Sequence, residues 1–243
     1  MNANSLLLLV IAFFLFSCGG ATSPREESRE AATEEVAEDL HQAMPGAVET
    51  VFANDYVRAM EVRLEPGEEQ PVHEGAPRVI YSLSDYTINW TENGVDEGAK
   101  RWETGDAHWH DAGPHAAENT GATTAKYLVV ARTEATLPEC DLANLAEDVN
   151  QAAPDYSEIL LENEHVRVTA VQLPVGASIP EHAGINRVIY ALTDYQIDYT
   201  SNKEGSGAKA LRQGEAHWHE ACRHSLTNTG ETEARFLVFA FKE

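Results

Sequence analysis

Histidines recur in this sequence at spacings that suit the binding of a metal ion or an anion. Two segments read Ala-His-Trp-His, and a β-strand would place both imidazoles of such a segment on one face, about 7 Å apart. The tryptophan between them would then face the opposite side. Eight of the ten histidines form two sets of four, separated by 109 residues: His73, His108, His110 and His115, then His182, His217, His219 and His224.

The same spacing extends beyond the histidines and indicates an internal duplication. Roughly 40% of the positions match between the two copies, and no gap is needed. Arg78-Val-Ile-Tyr81, for example, recurs as Arg187-Val-Ile-Tyr190. We therefore predict two domains of one fold, residues 35–134 and residues 144–243, each of a typical domain size.

The pattern within each copy predicts β-structure after a short initial helix. Residues 56–64 alternate between apolar and polar side chains and end at Pro66-Gly67, and residues 126–131 form a β-rich run that closes the copy. Several short strands separated by Gly, Pro, Asn and Asp are typical of an antiparallel barrel or sandwich. A long alternation of strands and helices is absent from the sequence.

Each copy resembles the two sequence motifs of the cupin superfamily. The first copy carries them as Gly67, His73, Gly105-Asp106, His115 and Asn119, and the second as Gly176, His182, Gly214-Glu215, His224 and Asn228. The resemblance covers nearly all of the chain from residue 35 onward. It implies an all-β fold of two tandem cupin double-stranded β-helix barrels, each preceded by a short helix.

The resemblance also implies a metal site, because cupin barrels commonly hold a metal through histidines and a glutamate. In the first barrel, His73 and His115 match ligands, and His110 or His108 would complete a three-His site for Zn, Fe, Mn or Cu. The corresponding set in the second barrel is His182, His224 and His219. The family's second histidine, however, is replaced by Gly75 and Gly184.

Arginines near the family's glutamate position suggest a different chemistry. Arg78 and Arg187 stay protonated, and a guanidinium repels a metal ion but binds carboxylates through its planar fork. A metal-free barrel would use these arginines, with His108 and His217 as further ligand contacts, to bind an anion. In a third interpretation, the His-Trp-His strands serve only packing inside or between the barrels.

These alternatives give three hypotheses for function. The first is an enzyme of unidentified activity whose His-bound metal acts on a small molecule as a Lewis acid. The second is a metal-free module that binds an organic acid or a saccharide without turnover. The third is a non-catalytic surface scaffold, which would leave the repeated histidines unexplained. The fold alone does not choose between them.

The amino-terminal segment predicts export and a lipid anchor. Residues 6–16 form an apolar run that is too short to cross a bilayer and is typical of a signal peptide over residues 1–17. The run leads into Leu15-Phe-Ser-Cys18, which resembles a bacterial lipobox with Cys18 as the lipidated residue. Residues 18–34 would form an acidic tether. We expect a lipid-anchored protein of the cell envelope, at the outer membrane or facing the periplasm.

The composition restricts the partners that we expect. The chain has 17 Lys and Arg against 40 Asp and Glu, a formal net charge of −23. This charge argues against nucleic acid and against anionic lipid surfaces, so we expect a small-molecule ligand and membrane contact only through the anchor. Cys140 and Cys222 could form a disulfide in an exported protein. The sequence leaves open whether the protein forms a homodimer.

Overall fold

The computed structural model describes residues 40–242. The predicted signal peptide at residues 1–17, the lipidation site Cys18 and the tether at residues 18–34 lie outside the described residues. Within the described part of the chain, no helix has both the length and the apolar character that a membrane crossing requires.

Two halves of the described chain contain the same elements in the same order. The first half begins with helix α1 and the second with a 3₁₀ turn and helix α2, and nine strands follow in each half. The elements of the first half are α1 (Leu40–Ala43), β1 (Val48–Ala53), β2 (Val57–Leu64), β3 (Glu69–Gly75), β4 (Arg78–Ser82), β5 (Tyr86–Glu92), β6 (Val95–Trp102), β7 (Ala107–His110), β8 (Gly113–Asn119) and β9 (Ala125–Arg132). Those of the second half are the turn Leu145–Glu147, α2 (Val149–Ala152), β10 (Ser157–Glu162), β11 (Val166–Leu173), β12 (Ser178–Gly184), β13 (Arg187–Ala191), β14 (Tyr195–Ser201), β15 (Gly205–Leu211), β16 (Ala216–His219), β17 (Cys222–Asn228) and β18 (Ala234–Phe241).

Each half forms a barrel from two antiparallel sheets. In the first barrel a five-stranded sheet of order β1-β2-β9-β4-β7 faces a four-stranded sheet of order β3-β8-β5-β6. The second barrel has β10-β11-β18-β13-β16 and β12-β17-β14-β15. The predicted all-β fold of two tandem barrels, each preceded by a short helix, is confirmed. The exact domain limits, one of which falls at residue 35, stay predictions.

The five-stranded sheets bury both of their faces. Along β2, Met60, Val62 and Leu64 point into the first barrel, whereas Val57 and Ala59 belong to an apolar cluster on the opposite face. That cluster contains strands of both halves, so the two five-stranded sheets pack against each other through their outer faces. This packing explains why the central strands are apolar at nearly every position, as strands covered on both sides usually are.

The tryptophans of the two His-Trp-His segments point away from their neighbouring histidines, as the alternation of a strand predicts, and lie at this interface between the barrels. Trp109 stacks on His165 of the second half with ring centroids 4.9 Å apart, and Trp218 stacks on Tyr56 of the first half at 5.4 Å. The histidines on either side of each tryptophan therefore point into the barrels.

A disulfide ties the connector between the barrels to the second barrel. Cys140 of the connector is bonded to Cys222 at the start of β17, and their Cα atoms are 5.9 Å apart. The disulfide that the sequence left as a possibility is thus present. Its two cysteines are 82 residues apart in the sequence, so it closes a long loop. A cross-link over a loop of this length restricts the unfolded chain.

Candidate functional site

The register of the strands brings the repeated histidines and arginines together inside each barrel. In the first barrel His73 of β3 is paired with His115 of β8, and Arg78 of β4 is paired with His110 of β7. The second barrel repeats this register with His182 opposite His224 and Arg187 opposite His219. All ten candidate residues that the sequence suggested for a metal or a ligand therefore lie on inward-facing strand positions.

One pair of histidines in each barrel has a fixed orientation. The rings of His73 and His115 have centroids 4.0 Å apart, as do those of His182 and His224. His73 Nδ1–H donates to the carbonyl of Pro71 at 2.9 Å, and His182 Nδ1–H donates to that of Pro180 at 2.8 Å. A donating Nδ1 leaves Nε2 of a neutral imidazole as the acceptor.

The two arginines are buried without a carboxylate partner. Arg78 and Arg187 are 4% and 5% exposed, and neither forms an ion pair within residues 40–242. Nη1 of Arg187 donates to the carbonyl of Ile185 at 3.0 Å, and its Nη2 donates to Nε2 of His224 at 3.0 Å. Burial lowers the pKa of each guanidinium to about 10, so both remain protonated at neutral pH.

Glycines make the space that these guanidinium groups occupy. A Cβ on Gly75 would lie 2.5 Å from Nη1 of Arg78, and one on Gly184 would lie 2.6 Å from Nη1 of Arg187. Real Cβ atoms do not approach other heavy atoms so closely. In both barrels the position of the cupin motif's second histidine is thus a glycine, and the guanidinium of the arginine occupies the space that a larger side chain would need.

The buried histidines are neutral at physiological pH. Burial, followed by the charge of the neighbouring arginine, lowers the pKa of His115 and of His224 to about 2. Burial likewise lowers the pKa of His108 to about 2 and that of His217 to about 4. The pKa values of His110, His182 and His219 are also lowered, again mainly by burial. Each barrel thus contains one buried arginine cation beside imidazoles of lowered pKa, and a carboxylate, Glu92 or Glu204, contacts one of these imidazoles without bonding the arginine.

The two barrels differ in what surrounds the first pair of histidines. In the first barrel, Gln70 Nε2 lies 3.2 Å from Nε2 of His73, and the hydroxyl of Tyr127 donates to Gln70 Oε1 at 2.8 Å. The tyrosine thereby orients the amide so that its NH₂ group faces the imidazole. Ile179 and Phe236 stand at the equivalent positions of the second barrel and make no such bonds.

The barrels differ again at the His-Trp-His strands. In the first barrel His108 stacks on Trp102 with ring centroids 3.7 Å apart, and His110 Nδ1 contacts the carboxylate of Glu92. In the second barrel, Leu211 replaces the tryptophan, and His217 and His219 bond to each other directly. Their Nε2 atoms are 2.9 Å apart, and His219 Nδ1 lies 3.1 Å from Glu204 Oε1.

Each barrel encloses a cavity next to its arginine. The cavity of the first barrel measures about 200 Å³ and is lined by Gln70, His73, Arg78, Trp90 and His115, among others. The cavity of the second barrel measures about 70 Å³ and is lined by all four repeated histidines and Arg187, together with Tyr199, Glu204 and Lys209. In the first barrel, by contrast, His108 and His110 do not line the cavity.

The described residues do not fit a bound metal ion. Within residues 40–242, no group of three or more His, Cys, Asp or Glu side chains is arranged to hold one. The sets predicted from the sequence, His73 with His115 and His110, and His182 with His224 and His219, do not form such a group, and their role as metal ligands stays a prediction. An arginine stands beside each set, and its positive charge would repel a cation. In the second barrel Arg187 also donates to Nε2 of His224.

Comparison with solved structures identifies the class of fold. AerE from Microcystis aeruginosa aligns over 82% of this chain and 94% of its own, with a TM-score of 0.61 and 16% identity. Oxalate decarboxylase from Bacillus subtilis aligns over 80% and 71%, with a TM-score of 0.58 and 12% identity. The formate complex of oxalate decarboxylase from Lactobacillus farciminis aligns over 78% of both chains, with a TM-score of 0.55 and 12% identity.

These likenesses show the fold of the chain, which is the two-barrel cupin fold that its motifs resemble. No family model matches the sequence, and no curated protein matches it either. At identities of 12% to 16%, the likeness does not extend to activity.

Several residues of the site were not predicted from the sequence. Gln70 and Tyr127 of the first barrel, and Glu204 and Lys209 of the second, contact or line the cavities, but none belongs to a cupin motif. A signal for three of them was available, because Gln70, Tyr127 and Glu204 are positions at which the two copies differ. Lys209 recurs as Lys100, which lies over the Trp102 ring in the first barrel.

Proposed function

We propose that this protein binds small organic anions in both barrels without a metal ion, and that Arg78 and Arg187 hold the anionic group. The observation that carries the proposal is a protonated guanidinium that is almost fully buried beside a cavity and has no carboxylate partner within the described residues. A saccharide without a charge would leave this guanidinium uncompensated.

The energetics favour an anion as the missing partner. A pKa lowered from 12.5 to about 10 corresponds to roughly 3 kcal/mol of unfavourable burial for each protonated arginine. A carboxylate at the guanidinium would offset this energy with charge-assisted hydrogen bonds, which are about twice as strong as neutral ones. The surrounding imidazoles are neutral, so they do not compete for the anion.

The size of the cavities and the similar proteins favour a small carboxylate. About 70 to 200 Å³ admits a molecule of only a few heavy atoms besides water. The proteins of similar fold include oxalate decarboxylases, one of them in complex with formate. The Bacillus subtilis oxalate decarboxylase contains Mn(II) centres. In each barrel of this chain, a glycine replaces the second histidine of the cupin motif, and an arginine stands near the motif's glutamate position. We therefore propose a carboxylate ligand and no metal ion.

Thermal unfolding of the full-length protein with sodium formate, acetate and oxalate tests the proposal, with sodium chloride at equal ionic strength as the reference. We expect at least one carboxylate to raise the melting temperature, because a ligand that binds only the folded state stabilises it. Arg78→Met and Arg187→Met should each weaken the effect, and the double variant should abolish it. The control is Arg101→Met, since Arg101 is exposed and lines neither cavity. An unchanged response of the double variant would contradict the proposal.

Elemental analysis separates this proposal from the metal-dependent enzyme. The protein should be purified without chelator and without a nickel column, and we expect far less than one equivalent of any transition metal. About one or two equivalents of Zn, Fe, Mn or Cu per chain, lost in His115→Ala and His224→Ala, would overturn the metal-free proposal. A protein that binds neither metal nor carboxylate would point to the scaffold hypothesis.

We also propose that the protein is exported and lipid-anchored through Cys18. The disulfide between Cys140 and Cys222 supports export, because such bonds persist mainly in oxidising compartments. Mass spectrometry of the mature amino terminus tests the proposal. Acyl groups on Cys18, and their loss together with membrane association in Cys18→Ala, are the expected results. A mature protein that begins elsewhere and remains in the soluble fraction would contradict it.

A further inference from the structure

The connector between the two barrels, residues 133–148, forms part of the wall of the second barrel's cavity. Its residue Leu145 lines this cavity together with Ile185. The same two residues also line a groove of about 490 Å³ that includes the exposed Asn144. Leu145 and Ile185 therefore separate the cavity from the groove. We infer that the groove is the entrance to the second cavity, that Leu145 is its gate, and that the disulfide between Cys140 and Cys222 keeps the gate closed.

The disulfide lies across the same partition. Cys140 lines the groove, whereas Cys222 lines the cavity. The bond therefore joins the connector to the barrel wall beside the gate, and Leu145 follows Cys140 by only five positions in the chain. A covalent link at this place restrains the segment that carries Leu145.

Three hydrogen bonds also hold the connector against the second barrel. The amide of Asn186 donates to a connector carbonyl at 2.7 Å, and Arg167 donates to the carbonyl of Leu145 itself at 3.1 Å. Arg223 donates to the carboxylate of Glu147 at 2.8 Å. Hydrogen bonds at a surface break and re-form in local opening motions, whereas a disulfide does not. The disulfide is thus the contact that limits opening of the gate.

The side chains that hold the connector are specific to the second barrel. Asn186, Cys222 and Arg223 contribute the barrel's part of these contacts. The equivalent positions of the first copy carry two prolines and a glycine, namely Pro77, Gly113 and Pro114. These residues have no side chain that donates a hydrogen bond or forms a disulfide. We therefore expect a disulfide-held gate in the second barrel alone.

Charged residues line another part of the second cavity at partly exposed positions, and ion pairs close that side. A carboxylate oxygen of Glu204 lies 3.6 Å from Nζ of Lys209, and the carboxylate of Glu220 contacts the ammonium of Lys203. An entering anion would meet two carboxylates there, whereas the groove is lined by no acidic residue and by one lysine, Lys242. This argument for the route rests on the proposed function, but the gate itself can be tested without an anion.

Thiol labelling in the full-length protein tests the gate. Ile189 lines the cavity of the second barrel, and its equivalent Ile80 lines that of the first. Ile189→Cys and Ile80→Cys therefore place a thiol at matched positions in the two cavities. The probe is methyl methanethiosulfonate, a small neutral thiol reagent, and peptide mass spectrometry follows the new thiol and verifies the bond between Cys140 and Cys222.

Opening the gate should expose only the thiol in the second barrel. When Cys140→Ser and Cys222→Ser are combined, we expect labelling at position 189 to become at least about ten-fold faster, and labelling at position 80 to keep its rate. Leu145→Ala should act in the same direction with the disulfide intact, because it removes the side chain that fills the partition. Leu142→Ala is the matched control, since Leu142 is an exposed leucine of the connector that lines neither the groove nor the cavity.

Three results would overturn the gate. Equal acceleration at positions 189 and 80 would show that loss of the disulfide loosens the whole protein. A steep rise of the labelling rate with urea at position 189 would show that the thiol reacts through unfolding, because only unfolding exposes much new surface. Labelling at position 189 that neither the loss of the disulfide nor Leu145→Ala changes would show that the cavity is reached from its charged side. None of these results depends on carboxylate binding, so the gate and the proposed function can fail separately.

Discussion

Replacing Arg187 by methionine should leave the stability of the ligand-free protein nearly unchanged. Removing the buried charge recovers roughly 3 kcal/mol, the energy that corresponds to the lowered pKa of the guanidinium. The substitution also removes the hydrogen bonds of the guanidinium to the carbonyl of Ile185 and to His224, both 3.0 Å long, and a longer one of 3.4 Å to the carbonyl of Glu220. Hydrogen bonds of a charged group contribute about 1.5 kcal/mol or more each, so the two effects nearly cancel. The net expectation is a change of no more than about 1 kcal/mol, or about 2 to 4 °C in melting temperature for a protein of this size.

The assay is urea unfolding of the full-length protein with and without a saturating carboxylate. Arg167→Met is the matched control, because Arg167 bonds two carboxylates, those of Asp148 at 2.7 Å and Glu162 at 2.8 Å. Its loss leaves the buried Asp148 carboxylate without its cation, held only by Asn150, and should destabilise the protein by about 1 to 3 kcal/mol. With ligand at about a hundred times its Kd, each occupied barrel adds about 2.7 kcal/mol, so the wild type with two sites should gain about twice as much as Arg187→Met with one. If Arg187→Met is as destabilising as Arg167→Met, then the guanidinium is a structural group and the reasoning from an uncompensated charge is refuted.

Three further predictions concern the same barrels. Gly184→Ala should weaken carboxylate binding in the second barrel, because the new Cβ would lie 2.6 Å from Nη1 of Arg187 and 3.1 Å from Cε1 of His224 and would displace both side chains; unchanged binding by calorimetry would contradict this. Lowering the pH from 7.5 to 5.5 should reduce the free energy of unfolding by several kcal/mol. The pKa values of the buried histidines in the folded protein lie far below 6.5, so as the pH falls the unfolded chain takes up protons that the folded protein does not. Each such histidine therefore lowers the free energy of unfolding by about 1.4 kcal/mol over this range. A free energy of unfolding in urea that does not change with pH would argue against neutral buried imidazoles. Reduction of the disulfide between Cys140 and Cys222, or Cys140→Ser, should lower stability by about 2 to 5 kcal/mol, and a melting temperature insensitive to reductant would show that the bond does not form in solution.

The sequence predicted the fold because its signals were repeated. A single Gly-x₅-His motif is weak, but a second copy 109 residues later, with matching strands, identifies two barrels of one kind. The alternation of strand residues also predicted that Trp109 and Trp218 lie opposite the neighbouring histidines. It could not show that the outer faces pack against each other, because that contact depends on the arrangement of the two barrels and not on any local pattern.

The sequence was less informative about the site, and the reason is physical. Histidine binds metals, donates and accepts hydrogen bonds, and packs in cores, so the same eight residues fitted all three hypotheses. What distinguishes the hypotheses is the position of the guanidinium of Arg187 relative to His224 Nε2, a distance that strand register and glycine size determine together. The substitution of glycine in the motif was visible in the sequence, but its consequence was visible only in the structure.

The differences between the barrels bear on function more directly than their similarities. Both copies keep the glycine, the arginine and four histidines, which is what the anion site that we propose for both barrels requires. The groups beside that site have changed together: Gln70 and Tyr127 bond to each other in the first barrel, whereas Ile179 and Phe236 are both apolar in the second.

The carboxylate that contacts the last histidine of each His-Trp-His segment, His110 or His219, also comes from a different position in the two barrels. It is Glu92 in the first barrel and Glu204 in the second, and these are not equivalent positions of the repeat. Each barrel thus has its own set of hydrogen-bonded groups beside the arginine. If both barrels hold a carboxylate as we propose, the same acid should therefore not bind both equally well, and calorimetry on Arg78→Met and on Arg187→Met, each with one arginine left, would measure the difference.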